Sequence, residues 1–214
     1  MIVETRILMN RIFTHLLINH ENTKIIKVSS IELTLIILIT FAQIKHYMKT
    51  KIKIMTTFNC TLDRAFRSPM LCDVTKVHTG YGMMPRVTHC KEDENWGKIG
   101  SSKKVYVEKS MTHKGGFGSV DNVVERIENK YWKIEINQFQ AWMLSFNKFV
   151  GEWQTTEIEK GKILIEYTYT LYSNNVLLYP INWIFTKTFW KKYMKQAMEN
   201  VRQLTIDKEP YLYE

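Results

Sequence analysis

Few side chains in this sequence are of the types and spacings that do chemistry. Histidine as a residue type ordinarily titrates near neutrality, so His78 and His89 with Asp73 could form a general acid/base pair if the fold brought them to one place. An unpaired surface or core histidine is the commoner outcome. Cys60, Cys72 and Cys90 are odd in number, widely spaced and without a CxxC pair, which argues against a disulfide framework and a zinc knuckle. Reduced, buried structural thiols in cytosolic surroundings are expected, since a thiol nucleophile would need a histidine in space to lower its pKa. Glu92, Asp93 and Glu94 could attract a cation, yet they lack spaced ligands and a histidine partner, so the run reads as a solvated turn. The stretch His113-Lys114-Gly115-Gly116-Phe117-Gly118 is glycine-rich but sits between strand-like segments. It lacks the strand-to-helix setting that cradles phosphate and reads as a hairpin or a lid at a cavity mouth. No catalytic residue, metal or cofactor is assigned.

The composition places these residues in one folded body. The 214 residues, 45% apolar, suffice for a single domain with a substantial core. The formal charge of +9 is spread out: five Lys/Arg against Glu4, Glu21 and Glu32 leave +2 in residues 1–47, hence +7 beyond, where the signs intermix. Such a surface is solvated, and it gives no clustered stripe for nucleic acid.

Residues 1–47 differ in texture, with no Gly or Pro and no sustained amphipathic period. The apolar run Ile31 to Ile44 contains Glu32 and falls short of the roughly 18 to 20 residues a membrane span needs. It also lies too far from the start for a secretory signal. The segment is read as an N-terminal extension arising from an over-extended translation start, with Met48 as the natural one. A marginal membrane anchor and an extra packed helix are the alternatives.

From Lys49 to Phe58, Ile52, Ile54 and Thr56 alternate with Lys51, Lys53 and Met55, the pattern of a half-buried strand. Asn59 and Thr61 offer N-cap oxygens for a short helix that Ser68 and Pro69 end, and a second helical turn is expected over Met70 to Thr75. Six further strands are expected: Val87 to Glu92, Lys103 to Met111, Ser119 to Glu128, Tyr131 to Trp142, Phe146 to Ile158 and Ile163 to Tyr172. Short separators such as Asn129-Lys130 and Lys160-Gly161 force antiparallel neighbours. Between Trp183 and Leu204, Trp190, Tyr193, Met194, Ala197, Val201 and Leu204 recur every three or four residues, with lysines opposite, so Pro180 opens a long amphipathic helix. That helix can bury its stripe only against the concave face of the sheet. The fold class is therefore α+β: a seven-stranded curved antiparallel sheet wrapped around a long C-terminal helix, with two short helices after the first strand. The domain spans residues 48–206, and 207–214 form a tail.

This element order, together with LYPINWIFTKTFWKKYMKQAMENVRQL near the end and FNCTLDRAFRSPM near the start, resembles the SRPBCC superfamily, which includes START lipid-transfer domains, the birch-pollen-allergen fold and polyketide cyclase/dehydrase proteins. The resemblance implies a helix-grip fold with a tunnel between sheet and helix, commonly holding a hydrophobic small molecule. No invariant catalytic motif spans the superfamily, so no role is transferred to any residue.

The cavity candidates are Trp142, Trp153, Tyr167, Tyr169, Phe185, Phe189, Tyr193 and Ala197, on the helix stripe and the inward faces of the last strands. Ordinary core packing explains each one, taken alone, more readily than cavity lining does. The function expected is binding or carrying a lipid-like or polyketide-like molecule in cytoplasmic surroundings. The alternatives are a cyclase- or dehydratase-type enzyme, and a lipid-transfer protein touching membranes through residues 31–44 or the basic side of the last helix. The expected partner is a hydrophobic small molecule and not nucleic acid, membrane contact is not favoured, and the oligomeric state is left open.

Overall fold

The computed structural model describes residues 48–140 and 145–213. The expectations for residues 1–47 and for Trp142 lie outside them.

Seven strands form one antiparallel sheet: β1 (Lys49–Asn59), β2 (Val87–Glu92), β3 (Ser102–Val107), β4 (Gly116–Ile127), β5 (Tyr131–Asn137), β6 (Phe146–Glu159) and β7 (Lys162–Ser173). Their spatial order is β1-β7-β6-β5-β4-β3-β2. Strands β2 to β7 follow one another as a meander, and β1 closes on β7 with Ile52 opposite Tyr169 and Ile54 opposite Tyr167. Alternation in β1 buries Ile52, Ile54 and Phe58 and exposes the lysines between. The helix-grip expectation for the class and architecture is met.

Several boundaries differ from those expected. Strand β3 was expected to reach Met111 but stops at Val107, because the next residues turn back on themselves: Ser110 N–H donates to His113 O at 2.8 Å and the Thr112 hydroxyl donates to Met83 O at 2.9 Å. Gly115 and Gly116, at φ +90° and +87°, make the return into β4. Strand β5 ends at Asn137, followed by Gln138 at φ +56°. Helix α1 (Leu62–Leu71), capped by the Thr61 hydroxyl, continues past Ser68 and carries Pro69 inside it. Proline removes one bond of the last turn, but Met70 and Leu71 are buried and hold that turn against the core. Helix α2 is accordingly later than expected, Val74–Val77, with the Asp73 carboxylate accepting from Thr75 N–H.

The long C-terminal helix runs in three parts: α3 (Tyr179–Phe185) with Pro180 in its first turn, a π-helical turn (Thr186–Trp190), and α4 (Lys191–Ile206). In the π turn Lys191 N–H reaches back five residues to Thr186 O. The fully buried Thr186 and Asn182 brace the join: the Thr186 hydroxyl donates to Asn182 O, and the Asn182 amide donates to the Ser173 hydroxyl of β7. The tail is packed rather than loose. Leu212 N–H donates to Leu71 O, and the Arg64 guanidinium lies 4.8 Å from the centre of the Tyr211 ring.

Candidate functional site: a cavity between sheet and helix

The inward faces of β3 to β7 and the stripe of the long helix do not meet everywhere. Between them lies a cavity of about 180 Å³. Cross-strand register builds its aromatic wall: Trp132 of β5 faces Trp153 of β6, which faces Tyr167 of β7. The two indoles stack at 5.7 Å with 9° between planes, and Tyr167 meets Trp153 edge-on at 5.0 Å. Such geometries suit the ring quadrupoles. Gly151, opposite Tyr169, permits the close approach of the tyrosines, since a Cβ there would stand 3.1 Å from the Tyr167 hydroxyl and 3.1 Å from Tyr169 Cζ. From the helix side Phe185, Trp190, Tyr193 and Ala197 close the space.

Of the residues singled out from sequence, Trp153, Tyr167, Tyr169, Phe185, Tyr193 and Ala197 are brought together around this cavity. Phe189 is not. It is 38% exposed and stacks on Phe185 from outside. The cause is the π turn: a spacing of four would put Phe185 and Phe189 on one face, but one extra residue per turn places Phe185 and Trp190 there instead. Trp190 contacts Phe149 and Tyr169 edge-on at 4.8 and 5.3 Å.

A polar cluster occupies the β3–β4 side. Lys103 is only 5% exposed, its Nζ lies 4.1 Å from the centre of the Trp96 ring, and among the described residues it forms no ion pair. Directly across on β4 is Asp121, whose one side-chain hydrogen bond among the described residues, from the Ser119 hydroxyl, is long at 3.5 Å. Burial pushes the Asp121 carboxyl above its usual range, with the Lys103 charge opposing. His78, after α2, exchanges a hydrogen bond between its Nδ1 and the Tyr193 hydroxyl at 2.9 Å. Burial lowers its pKa to about 4, and the Lys103 charge adds to the effect, so the ring is neutral at neutral pH. The Tyr167 and Tyr169 hydroxyls are 2.8 Å apart, and burial raises both, as it raises Tyr193. The indole N–H groups of Trp132, Trp153 and Trp190 are buried without a partner among the described residues.

The acid/base pair weighed from sequence does not assemble. His89 is exposed and stacked on Tyr106 at 4.4 Å, and Asp73 is spent on capping α2. Of these three, His78 alone reaches the cavity. The glycine-rich segment borders it through His113 and Gly118, with Gly115 N–H donating to His113 Nδ1 at 2.9 Å. Asp93, from the acidic run, accepts from the backbone N–H of Asn95 as turn chemistry predicts. The thiols are poor nucleophiles: burial raises all three, Cys90 to about 12.

Lys103 and Asp121 were missed, although a signal existed. Lys103 shares strand parity with Val105 and Val107, and Asp121 with Val123, so both belong to inward faces.

The arrangement defines a class: a single antiparallel sheet gripping one long helix over an aromatic cavity. Its likeness to solved structures covers nearly all of each partner. Ara h 8.0201 aligns at 12% identity over 74% of this chain and 99% of its own, with a TM-score of 0.56. The ginseng major latex-like protein 151 from Panax ginseng aligns at 11% over 74% and 98%, TM-score 0.53. A protein from Nitrosospira multiformis aligns at 8% over 73% and 96%, TM-score 0.50. No family model and no curated protein matches the chain. The fold is the helix-grip fold that these structures share, the architecture that the sequence resemblance implied.

Proposed function

We propose that the protein binds or carries an apolar small molecule, lipid-like or polyketide-like, in the cavity between sheet and helix. The observation that supports this most directly is the cavity of about 180 Å³ walled by Trp132, Trp153, Trp190 and Tyr167 in the middle of the core. Interiors normally close such space, because a void forfeits dispersion contacts on its lining. An apolar cavity of about 150 Å³ takes up benzene, so the volume here suits a compact ring system or one end of a longer molecule. Naphthalene binding, followed by saturation-transfer NMR and calorimetry on the full chain, tests the reading. Ala197→Trp, which thrusts an indole from the helix into the space, should abolish it while the circular dichroism stays native. Unchanged binding in Ala197→Trp would overturn the assignment.

An enzyme of the cyclase or dehydratase kind is a second reading, favoured by one observation: Asp121, His78 and three tyrosine hydroxyls lie on the cavity wall, where an acid or base would be needed. Turnover of a bound ligand, read by mass spectrometry of the extracted molecule before and after incubation, separates enzyme from carrier. Membrane contact has a surface that suits it, since Val176, Leu177, Ile181, Trp183 and Ile184 are exposed close to Lys187, Lys191 and Lys195. No helix of the described residues is long and apolar enough to cross a membrane. Sedimentation with anionic vesicles, lost in Trp183→Ser with Ile184→Ser, would support that contact, and its absence would remove it.

A further inference from the structure

The β3–β4 side of the cavity carries two formal charges that core packing does not require. Lys103 is 5% exposed, with its ammonium resting on the indole face of Trp96, and Asp121 faces it across the strand pair. Both border the cavity, and they form no ion pair within 4.0 Å of each other. Asp121 has spare acceptor capacity, because among the described residues its side-chain partner is the Ser119 hydroxyl alone, at 3.5 Å. Lys103 has spare donors, because an ammonium carries three and a ring face satisfies none of them fully. Their separation exceeds ion-pair contact, so a donor and an acceptor border the same cavity without meeting, an arrangement that an oxygen bonded to both would complete.

The charge balance selects the kind of oxygen. Lys103 and Asp121 cancel formally, and the neighbouring groups, His78 with its Tyr193 partner and the Tyr167–Tyr169 pair, are neutral at neutral pH. A carboxylate or ammonium brought in by the ligand would be an uncompensated charge in a poorly solvated site, which is costly. A hydroxyl has one proton to donate and two lone pairs to accept with, so it can take a bond from Lys103 and give one to Asp121 without adding charge. We propose that the ligand carries an uncharged hydroxyl, phenolic or alcoholic, seated between Lys103 and Asp121, with its apolar body against the Trp132–Trp153 wall. This rests on the cavity-binding reading above and names the polar end of its ligand.

The test compares naphthalene, naphthol and naphthoate on the full chain by calorimetry at pH 7. Hydrogen bonds to charged groups are the strong ones, so naphthol should bind about ten-fold or more tightly than naphthalene, and naphthoate weakest. Lys103→Met should bring naphthol down to the affinity of naphthalene while leaving naphthalene unchanged. Asp121→Asn, nearly isosteric, should weaken naphthol in the same selective way. Naphthol and naphthalene binding alike, naphthoate binding best, or Lys103→Met weakening both neutral probes equally would each overturn the hydroxyl seat while leaving the cavity reading intact. If none of the three binds, the cavity reading fails and the hydroxyl seat with it.

Discussion

Protonation of His78 should set how this protein responds to mild acid. Burial against Tyr193, with the Lys103 charge nearby, holds the ring's pKa at about 4 in the folded chain, against about 6.5 when unfolded. Between those values the unfolded chain takes up a proton that the folded chain refuses. Stability contributed by His78 is therefore full above pH 6.5, falls as pH drops through the window, and is flat again below 4. The whole interval, at about 1.4 kcal/mol per pH unit, bounds the effect near 3 kcal/mol. His78 retains some accessible surface, so a loss of about 1–3 kcal/mol between pH 7 and pH 4.5 is expected. Asp121 opposes it: a carboxyl raised by burial stabilises the fold as pH falls, so the net slope alone is uninformative. The assay is urea unfolding at both pH values for the native chain and for His78→Gln, whose amide can still pair with the Tyr193 hydroxyl. The variant should lose less stability on acidification by that 1–3 kcal/mol. Equal losses in the two proteins, or a His78 ring that titrates near 6.5 by NMR, would refute the burial argument.

Gly151→Ala should cost about 1–3 kcal/mol by overpacking, because its Cβ would press on Tyr167 and Tyr169 at 3.1 Å, and a thermal melt reads the loss. Trp190→Ala should cost about 3–5 kcal/mol in urea unfolding, since the 6% exposed indole joins Phe149, Tyr169 and Phe185. Thr61→Ala removes the hydroxyl cap on Arg64 N–H and should cost about 1 kcal/mol, measured the same way. Iodoacetamide at pH 8 should leave Cys90 unlabelled in the folded chain and label it in urea, because burial holds its thiol up to about 12.

Strand alternation and the helix stripe carried nearly all of the architecture. Ile52 and Ile54 against Lys51 and Lys53 placed β1, and Tyr193, Ala197 and Val201 placed α4, because a period of two or of three and four is a direct record of which side faces the core. The pairing of β1 with β7 was not legible, since register across a hundred residues depends on how the sheet closes and not on either strand alone. Phe189 was misplaced because periodicity assumes an unbroken α-helix. One π turn rotates everything before it, and nothing in TKTFW announces the insertion. Pro69 misled in the opposite direction, by obeying a local rule that burial of Met70 and Leu71 overrides.

The site was half legible for a related reason. Part of the aromatic wall, Trp153, Tyr167 and Tyr169, reads from sequence because such residues on an inward parity are core or cavity, whereas Trp132 and Trp190 on the same wall were not among the candidates. Lys103 and Asp121 escape the same reading, since a charged residue within a strand is taken for the solvent face even where parity with Val105 and Val123 contradicts it. That contradiction is informative. A leucine at either position would pack the sheet without the several kcal/mol that desolvating a charge costs, and replacing a buried pair by apolar residues is often neutral or stabilising. Stability therefore does not account for Lys103 and Asp121. Neither is in ion-pair contact with the other, so mutual attraction at close range does not account for them either. Places where local sequence logic and global packing disagree are where function is expected to have overruled the fold. Double replacement by Lys103→Met with Asp121→Leu should then raise the melting temperature while removing selectivity for a hydroxyl-bearing ligand. A double variant less stable than the native chain would show instead that the two charges serve the fold.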